Sequence, residues 1–381
     1  MLAAWLHDLS PFAIRFTDTF GVRWYGLSYV AAFVIGWLIL RGLGRRGLTA
    51  IPPDRAGDAM MIVVLGTVLG GRLGYVLLGY DFPLLYTFTS DPPWWGLLAI
   101  NKGGMASHGG MIGLIIAAWW ISRGFRADTP AADAPGRIGR CGLLHVMDVL
   151  ALMAPPGLLL GRLANFVNGE LLGAIVSPPG KPGPWWTVQF PQELRGWVRP
   201  GVMDAHSHTP ALDGDQRRAL WDLVLDAYAH AGVAKGQTEA ILWAGGREAD
   251  IAWQHGIDLV IEQASRHRAV LETILASRHP SQLYQAAAEG LILGAVLWAL
   301  WAKPRAQGLI AAAFFGVYGV LRIATEVWRL PDPQLGRTLG LSRGQWLSAG
   351  MLAVAAALAV WAIRRARGGE AKMGGWLGRG A

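Results

Sequence analysis

Apolar residues dominate seven stretches of this chain, at about 24–40, 57–78, 107–122, 143–166, 282–302, 306–328 and 344–363. Each is long enough, or nearly so, to cross a bilayer whose ~30 Å hydrocarbon core takes about 20 helical residues. The pattern predicts an all-α polytopic membrane protein with seven transmembrane helices. The first stretch opens only after Arg23, with no short basic start or cleavage site before it, so it reads as an uncleaved span. Residues 171–281 break the pattern. They are polar, rich in Pro and Trp at the start (Pro178, Pro179, Pro182, Pro184, Trp185, Trp186), and later show helical periodicity. An extramembrane head is expected there, inserted between spans four and five. The chain then divides into spans one to four (1–170), the head (171–281), spans five to seven (282–365) and a tail (366–381).

Composition excludes a soluble globular enzyme, since 53% of the 381 residues are hydrophobic and only 16% charged. A net charge of +8 would point to nucleic acid in a soluble domain. Here most of the excess sits in short loops, where it sets orientation instead. Arg41, Arg45, Arg46 and Arg55 follow span one, and Arg123, Arg126, Arg137 and Arg140 follow span three. Lys303 and Arg305 follow span five, and Arg364, Arg365 and Arg367 follow span seven. The alternate loops are poorer, with Lys102 after span two and Arg329, Arg337 and Arg343 after span six. The N-terminus is therefore expected outside and the C-terminus in the cytoplasm. The head's ten basic residues do not conflict with this, because long translocated segments largely escape the rule. The single cysteine, Cys141, excludes an intramolecular disulfide and reads as inert. His206 and His208 in the head lack further ligands at metal spacing and read as a solvated loop.

Charges inside apolar stretches change the picture most. A charge within a spanning helix costs at least ~2.5–3.5 kcal/mol, so such residues tend to be kept for function. With the orientation set by loop charges, Tyr25, Arg72, His108, Arg162, Asn165 and Arg322 all fall toward the outer leaflet. Arg72 lies some fifteen residues into span two, ~22 Å from its cytoplasmic edge at 1.5 Å per residue. Tyr318, Arg322 and Glu326 recur every fourth residue and share a helix face, so Glu326 can orient the arginine. Arg162 and Asn165 are neighbours in the same way. Arginine forks suit phosphate oxygens, and two near one leaflet point to a phospholipid head group. A plain Arg322–Glu326 ion pair is the structural alternative.

His108 stands among glycines in Gly103-Gly104-Met105-Ala106-Ser107-His108-Gly109-Gly110, which give close access to substrate. Ser107 is a candidate cap for the next helix, whose start attracts anions. A histidine beside an anion site is the residue type a general base needs; a loop–helix histidine bonded to its own backbone is the alternative. Ser281, after His279-Pro280, is expected to cap span five. His145 and Asp148, three apart near the cytoplasmic start of span four, are expected to pair with each other.

Taken together, these runs closely resemble the bacterial prolipoprotein diacylglyceryl transferases. The matching pieces are Arg23–Leu27, Gly71–Tyr75, Gly103–Gly110, Gly161–Glu170, His279–Tyr284, Tyr318–Glu326 and Pro331–Gly336, in family order across most of the chain. Ala164 replaces the family's usual glycine inside the signature, and the head looks longer than usual. The resemblance implies transfer of the diacylglyceryl group of phosphatidylglycerol to the lipobox cysteine of a preprolipoprotein, forming a thioether and releasing glycerol phosphate. It implies His108, Arg162 and Arg322 as catalytic residues. Tyr25, Arg72, Asn165, Asn168, Glu170, Tyr318 and Glu326 join the two arginines in binding substrate. It implies no cofactor, no metal and no nucleic-acid partner; the partners are phosphatidylglycerol, membrane lipid and the preprolipoprotein signal peptide. The setting would be the bacterial inner membrane, with N-terminus and head in the periplasm. A transporter or scaffold binding anionic lipid without chemistry would explain the arginines but not His108 among glycines. An intramembrane hydrolase lacks a serine–histidine or zinc-ligand pair at that leaflet.

Overall fold

The computed structural model describes residues 4–17, 21–77, 81–90, 92–99, 103–127, 136–197, 213–330, 343–369, 372 and 374–375. His206, His208, Lys102, Arg337 and the Pro331–Gly336 run lie outside the described residues. The helices in chain order are α1 (Trp24–Arg45), α2 (Ala56–Leu77), α3 (Ser107–Ser122), α4 (Leu143–Val167), α5 (Gly214–His230) and α6 (Lys235–Ala244). They continue with α7 (Gly246–Glu262), α8 (Arg268–Ile274), α9 (Ser281–Gln285), α10 (Leu293–Trp301), α11 (Leu309–Glu326) and α12 (Arg343–Arg367). Six helical segments are long and apolar enough to cross a membrane: Trp24–Arg45, Pro53–Leu77, Leu143–Val167, Ser281–Trp301, Leu309–Glu326 and Gly344–Arg367. The expected third span, α3, is apolar but only 16 residues long, short of the ~20 that a full crossing takes.

The chain is mostly helical rather than all-α. The described residues include eight short strands: β1 (Trp5–Leu6), β2 (Phe12–Arg15), β3 (Gly21–Arg23), β4 (Phe125–Arg126), β5 (Arg137–Ile138), β6 (Ile175–Ser177), β7 (Val188–Gln189) and β8 (Ser277–Arg278). At two to four residues each, they are too short for an alternating pattern to register.

The helices and strands fall into two compact units. One comprises Tyr29–Leu158, Gly290–Gly319 and Gly350–Ala381. Its tightest packing joins α2 and α3 through glycines. Gly66, Gly70 and Gly74 recur every fourth residue on α2 and meet Gly109 and Gly113 on α3. A Cβ on Gly113 would overlap the Gly66 carbonyl oxygen, so the two backbones touch as in small-residue helix pairs within membranes. The same contact carries on to Ala106, whose N–H donates to the Gly71 carbonyl (2.9 Å).

This unit also corrects the expected His145–Asp148 pair. His145 Nε2 lies 2.9 Å from Thr49 Oγ1 and accepts the Ala50 N–H at 3.1 Å. The Asp148 carboxylate instead accepts the N–H groups of Gly308 (2.7 Å) and Ala311 (2.8 Å), capping the start of α11. A buried carboxylate seeks a helix N-terminus, where orphan N–H groups and the helix dipole both favour an anion. Outside the spans, burial pushes the Cys141 thiol up to about 11, away from the thiolate a nucleophile needs.

The second unit comprises Met1–Ser28, Leu159–Glu289 and Val320–Ala349. Its four-stranded sheet has the order β1-β7-β8-β6, so the N-terminal strand pairs with one strand, β7, of the expected head. Helices α5 to α8 pack on a core that includes Leu220, Val224, Leu242, Trp253, Ile257 and Leu271, with Leu6 and Leu194. Asp213 and Gln216 form a reciprocal capping box at the start of α5. Arg278 Nε donates to Glu193 Oε2 at 2.6 Å, and both side chains are buried. Ser281 is the first residue of α9 rather than its cap, and its hydroxyl donates to the Leu171 carbonyl (3.2 Å). Residue 280 is a proline, and the turn it fixes, bonded Ser281 N–H to His279 O, leaves no capping geometry for the serine.

Candidate functional site

Two predicted arginines meet at a carboxylate that the sequence reading passed over. Arg162, near the end of α4, donates through Nε to Glu289 Oε2 (2.9 Å) and through Nη2 to Glu289 Oε1 (3.3 Å). Glu289 is fully buried, on a π-helical segment (Ala286–Ile292) that continues α9. Single π-turns inside helices recur at functional sites because they re-aim side chains. Arg322 lies on the other side of the carboxylate, its Nη1 3.8 Å from Oε1. Its Nη2 reaches Glu326 at 3.2 Å, one turn along α11, and Glu326 lies 3.9 Å from Arg329. The result is an alternating chain, Arg162–Glu289–Arg322–Glu326–Arg329. Alternation is what the physics requires, since a charge removed from water must be paired or it is not tolerated. The Arg322–Glu326 ion pair thus forms, as part of a larger network.

Glu289 is the only acidic residue between 282 and 302. The argument that flagged the arginines, a charge inside an apolar span, applies to it equally and would have found it.

The other predicted residues take varied places. Asn165 is half-buried on α4, one turn beyond Arg162. Its carbonyl accepts the Glu170 N–H (2.9 Å), while Asn168 Nδ2 donates to Glu170 Oε1 (3.2 Å). Tyr25 is half-buried at the start of α1, where its carbonyl accepts from Ser28 Oγ (2.7 Å). All of these belong to the unit that holds the charge chain. His279, in the same unit, is flanked by the rings of Trp186 (5.2 Å) and Tyr284 (5.9 Å), and burial lowers its pKa.

Arg72, His108 and Tyr318 belong to the other unit. Arg72 is buried and spends its donors on backbone. Nε goes to Leu97 O (2.8 Å), Nη2 to Gly96 O (2.6 Å) and Nη1 to Gly103 O (2.7 Å) and Gly104 O (2.9 Å). It therefore fastens the loop that leads into α3. Gly104 has φ +80°, and a Cβ there would come within 2.5 Å of Arg72 Nη1, so this approach needs glycine. The N-cap of α3 is Ala106, with Ser107 already inside the helix, and His108 is its half-buried second residue. The His108 imidazole makes no hydrogen bond with the described residues. Tyr318 stacks on Phe314 (5.8 Å, 9°). Among the described residues there is no group of three or more His, Cys, Asp or Glu placed to hold a metal ion.

Six membrane-length helices among the described residues, with a buried chain of alternating arginines and carboxylates, define a multi-pass membrane protein that carries a charge network inside its fold. Comparison with known sequences gives the family. The profile described as "Prolipoprotein diacylglyceryl transferase" matches residues 11–361. A phosphatidylglycerol–prolipoprotein diacylglyceryl transferase of Bdellovibrio bacteriovorus is 35% identical over 374 residues, covering 97% of both chains. Proteins of the same name are 33% identical in Neisseria gonorrhoeae (91% of this chain, 93% of that one) and 32% in Burkholderia thailandensis (96% and 98%). The chain belongs to the prolipoprotein diacylglyceryl transferase family and is a membrane transferase of lipoprotein biosynthesis.

Proposed function

We propose that this protein transfers the diacylglyceryl group of phosphatidylglycerol to the lipobox cysteine of preprolipoproteins, and that Arg162 and Arg322 hold the lipid phosphate. The observation that carries this is the buried charge chain. It sets the forks of Arg162 and Arg322 on either side of one buried carboxylate, Glu289, and a fixed pair of guanidinium forks suits phosphate oxygens. The arginine forks are held in place by Glu289 and Glu326 before any lipid arrives, so little ordering is left for the moment of reaction.

In the reaction the substrate thiol gives its proton to His108, and the thiolate sulfur attacks the glycerol carbon next to the phosphate oxygen. The carbon–sulfur bond forms as the carbon–oxygen bond breaks, and glycerol phosphate leaves with the electron pair. Charge grows on the departing phosphate, so arginines fixed beside it favour the transition state over the ground state. Tyr25, Asn165, Asn168, Glu170, Tyr318 and Glu326 are assigned to binding the lipid, and Arg72 positions His108 by fastening the loop before α3. No step calls on a metal or cofactor.

The protein sits in the bacterial inner membrane with seven crossings, α3 being the short one. The N-terminus and the 171–281 head face the periplasm and the C-terminus faces the cytoplasm, as the arginines that close α12 support. Purified protein in liposomes containing phosphatidylglycerol labelled in its acyl chains, mixed with a lipobox peptide, tests the reading. Label should appear on the peptide cysteine and glycerol phosphate in the medium; neither product appears if the protein only binds lipid.

A further inference from the structure

Next to the charge chain lies a set of side-chain amides of which the reaction scheme uses only Asn168. Gln282 and Gln285, on α9, are both fully buried. Gln282 Nε2 donates to the Glu170 carbonyl, but its Oε1 has no partner, and neither amide atom of Gln285 has one. Asn168 Oδ1 and Gln192 Oε1 are buried without partners as well. Among the described residues, these five buried polar atoms on four neighbouring amides lack hydrogen bonds. Buried amides are nearly always satisfied, so each such atom calls for an explanation.

The amides form one cluster. Asn168 and Gln282 both bond to Glu170, one through its carboxylate and the other through its carbonyl. Gln192 packs directly on Gly169, where a Cβ would overlap its side chain. Gly169 (φ +64°) and Leu171 (φ +55°) both hold left-handed backbone conformations, unusual for a leucine. The turn between them is therefore kept in a shape that brings Asn168 and Glu170 to α9 at a cost in strain. Gln285 lies four residues before Glu289, about 6 Å along the helix, and Glu289 holds Arg162.

The orphan atoms narrow the ligand. Amide oxygens accept hydrogen bonds and amide nitrogens donate them, so a neutral group that does both fits. A second phosphate would meet amide oxygens that cannot donate to it, and an ammonium would meet the Gln285 nitrogen, which cannot accept from it. A polyol fits both conditions. We propose that Gln282, Gln285 and Asn168 bind the free hydroxyls of the lipid's glycerol head group, and so select it over head groups of equal charge that lack hydroxyls. This assignment rests on the transferase reading above.

The test compares phosphatidylglycerol with phosphatidylpropanol, which has the same phosphodiester but no head-group hydroxyl. The ratio of kcat/KM for the two lipids, taken on one preparation in liposomes, does not depend on how much of the protein is folded. Wild type should prefer phosphatidylglycerol, and Gln285→Met should reduce the ratio about tenfold, the loss of one or two ordinary hydrogen bonds. Gln282→Met should reduce it in the same direction and serves if Gln285→Met does not insert. A ratio unchanged in the variants overturns the assignment, as does a change confined to the KM of the lipobox peptide, which would make the amides a peptide site. Wild-type protein that uses both lipids equally overturns it alone. Wild-type protein that transfers from neither overturns the transferase reading as well.

Discussion

Replacing Glu289 by glutamine removes a carboxylate that touches both Arg162 and Arg322. Two unit charges 3.8 Å apart, the Arg322–Glu289 separation, interact by about 4 kcal/mol at an effective dielectric constant of ~20. Desolvation of both partners offsets much of that, yet removing one member of a buried pair typically destabilises by ~3–5 kcal/mol, because the other is left uncompensated. Glutamine keeps the shape but not the chemistry. Both Glu289 oxygens accept from Arg162, whereas an amide offers one acceptor and sets its own N–H groups against the second arginine donor. The fork therefore shifts, and loss of one preorganised donor to a developing anion commonly lowers rate by ~10²–10³. We expect Glu289→Gln to lose about 3 kcal/mol of stability and about 10²-fold in kcat/KM. Thermal unfolding in detergent and transfer from phosphatidylglycerol in liposomes read the two effects on the same preparation. Wild-type stability together with wild-type turnover in Glu289→Gln would refute the reasoning, since it would mean the arginines are held by something else.

Three further outcomes follow from the geometry. Arg322→Lys should keep some transfer and Arg322→Gln almost none, because lysine retains charge but loses the fork; equal activities in transfer assays would count against a bidentate phosphate contact. Gly113→Val should lower the unfolding temperature, with overpacking of this kind costing ~1–3 kcal/mol, whereas Gly110→Ala, where the nearest atom to a new Cβ is 3.6 Å away, should leave it unchanged. His7 is buried, its Nε2 donates to the Phe166 carbonyl (2.8 Å), and burial lowers its pKa below the ordinary 6.5. The stability that comes with neutral His7 is present above pH 6.5 and lost as pH falls toward the lower folded value. Unfolding temperatures measured from pH 7.5 to 5 should thus fall more steeply for wild type than for His7→Gln, which can donate the same bond without titrating.

Much of the fold can be read in the apolar pattern because a bilayer leaves few options: backbone groups must be satisfied within each segment, so a long apolar run becomes a helix. Spans expected at 143–166 and 282–302 appear as Leu143–Val167 and Ser281–Trp301. Strands of two residues carry no such signature, and β1 pairs with β7 across more than 180 residues of chain. Within the site, spacing on one helix was informative and spacing alone was not. Tyr318, Arg322 and Glu326 share a face, and the Arg322–Glu326 contact forms. His145 and Asp148 also share a face, but each found a partner on another segment, Thr49 and the start of α11. Arg72 reads in sequence like its fellow arginines, yet its donors meet four backbone carbonyls that no local pattern reveals. Glu289 is legible by the same rule as the arginines, as a lone charge in an apolar span.

The central claim separates binding from chemistry, with the arginines holding the phosphodiester and His108 taking the thiol proton. Equilibrium binding of phosphatidylglycerol and single-turnover transfer to a lipobox peptide, measured together on wild type, Arg162→Gln and His108→Gln, test it most directly. The account predicts that His108→Gln binds lipid about as well as wild type and loses transfer by ~10²–10⁴-fold, the usual worth of a general base, while Arg162→Gln loses both. Arg162→Gln that binds and transfers normally, or His108→Gln that transfers at the wild-type rate, would contradict it.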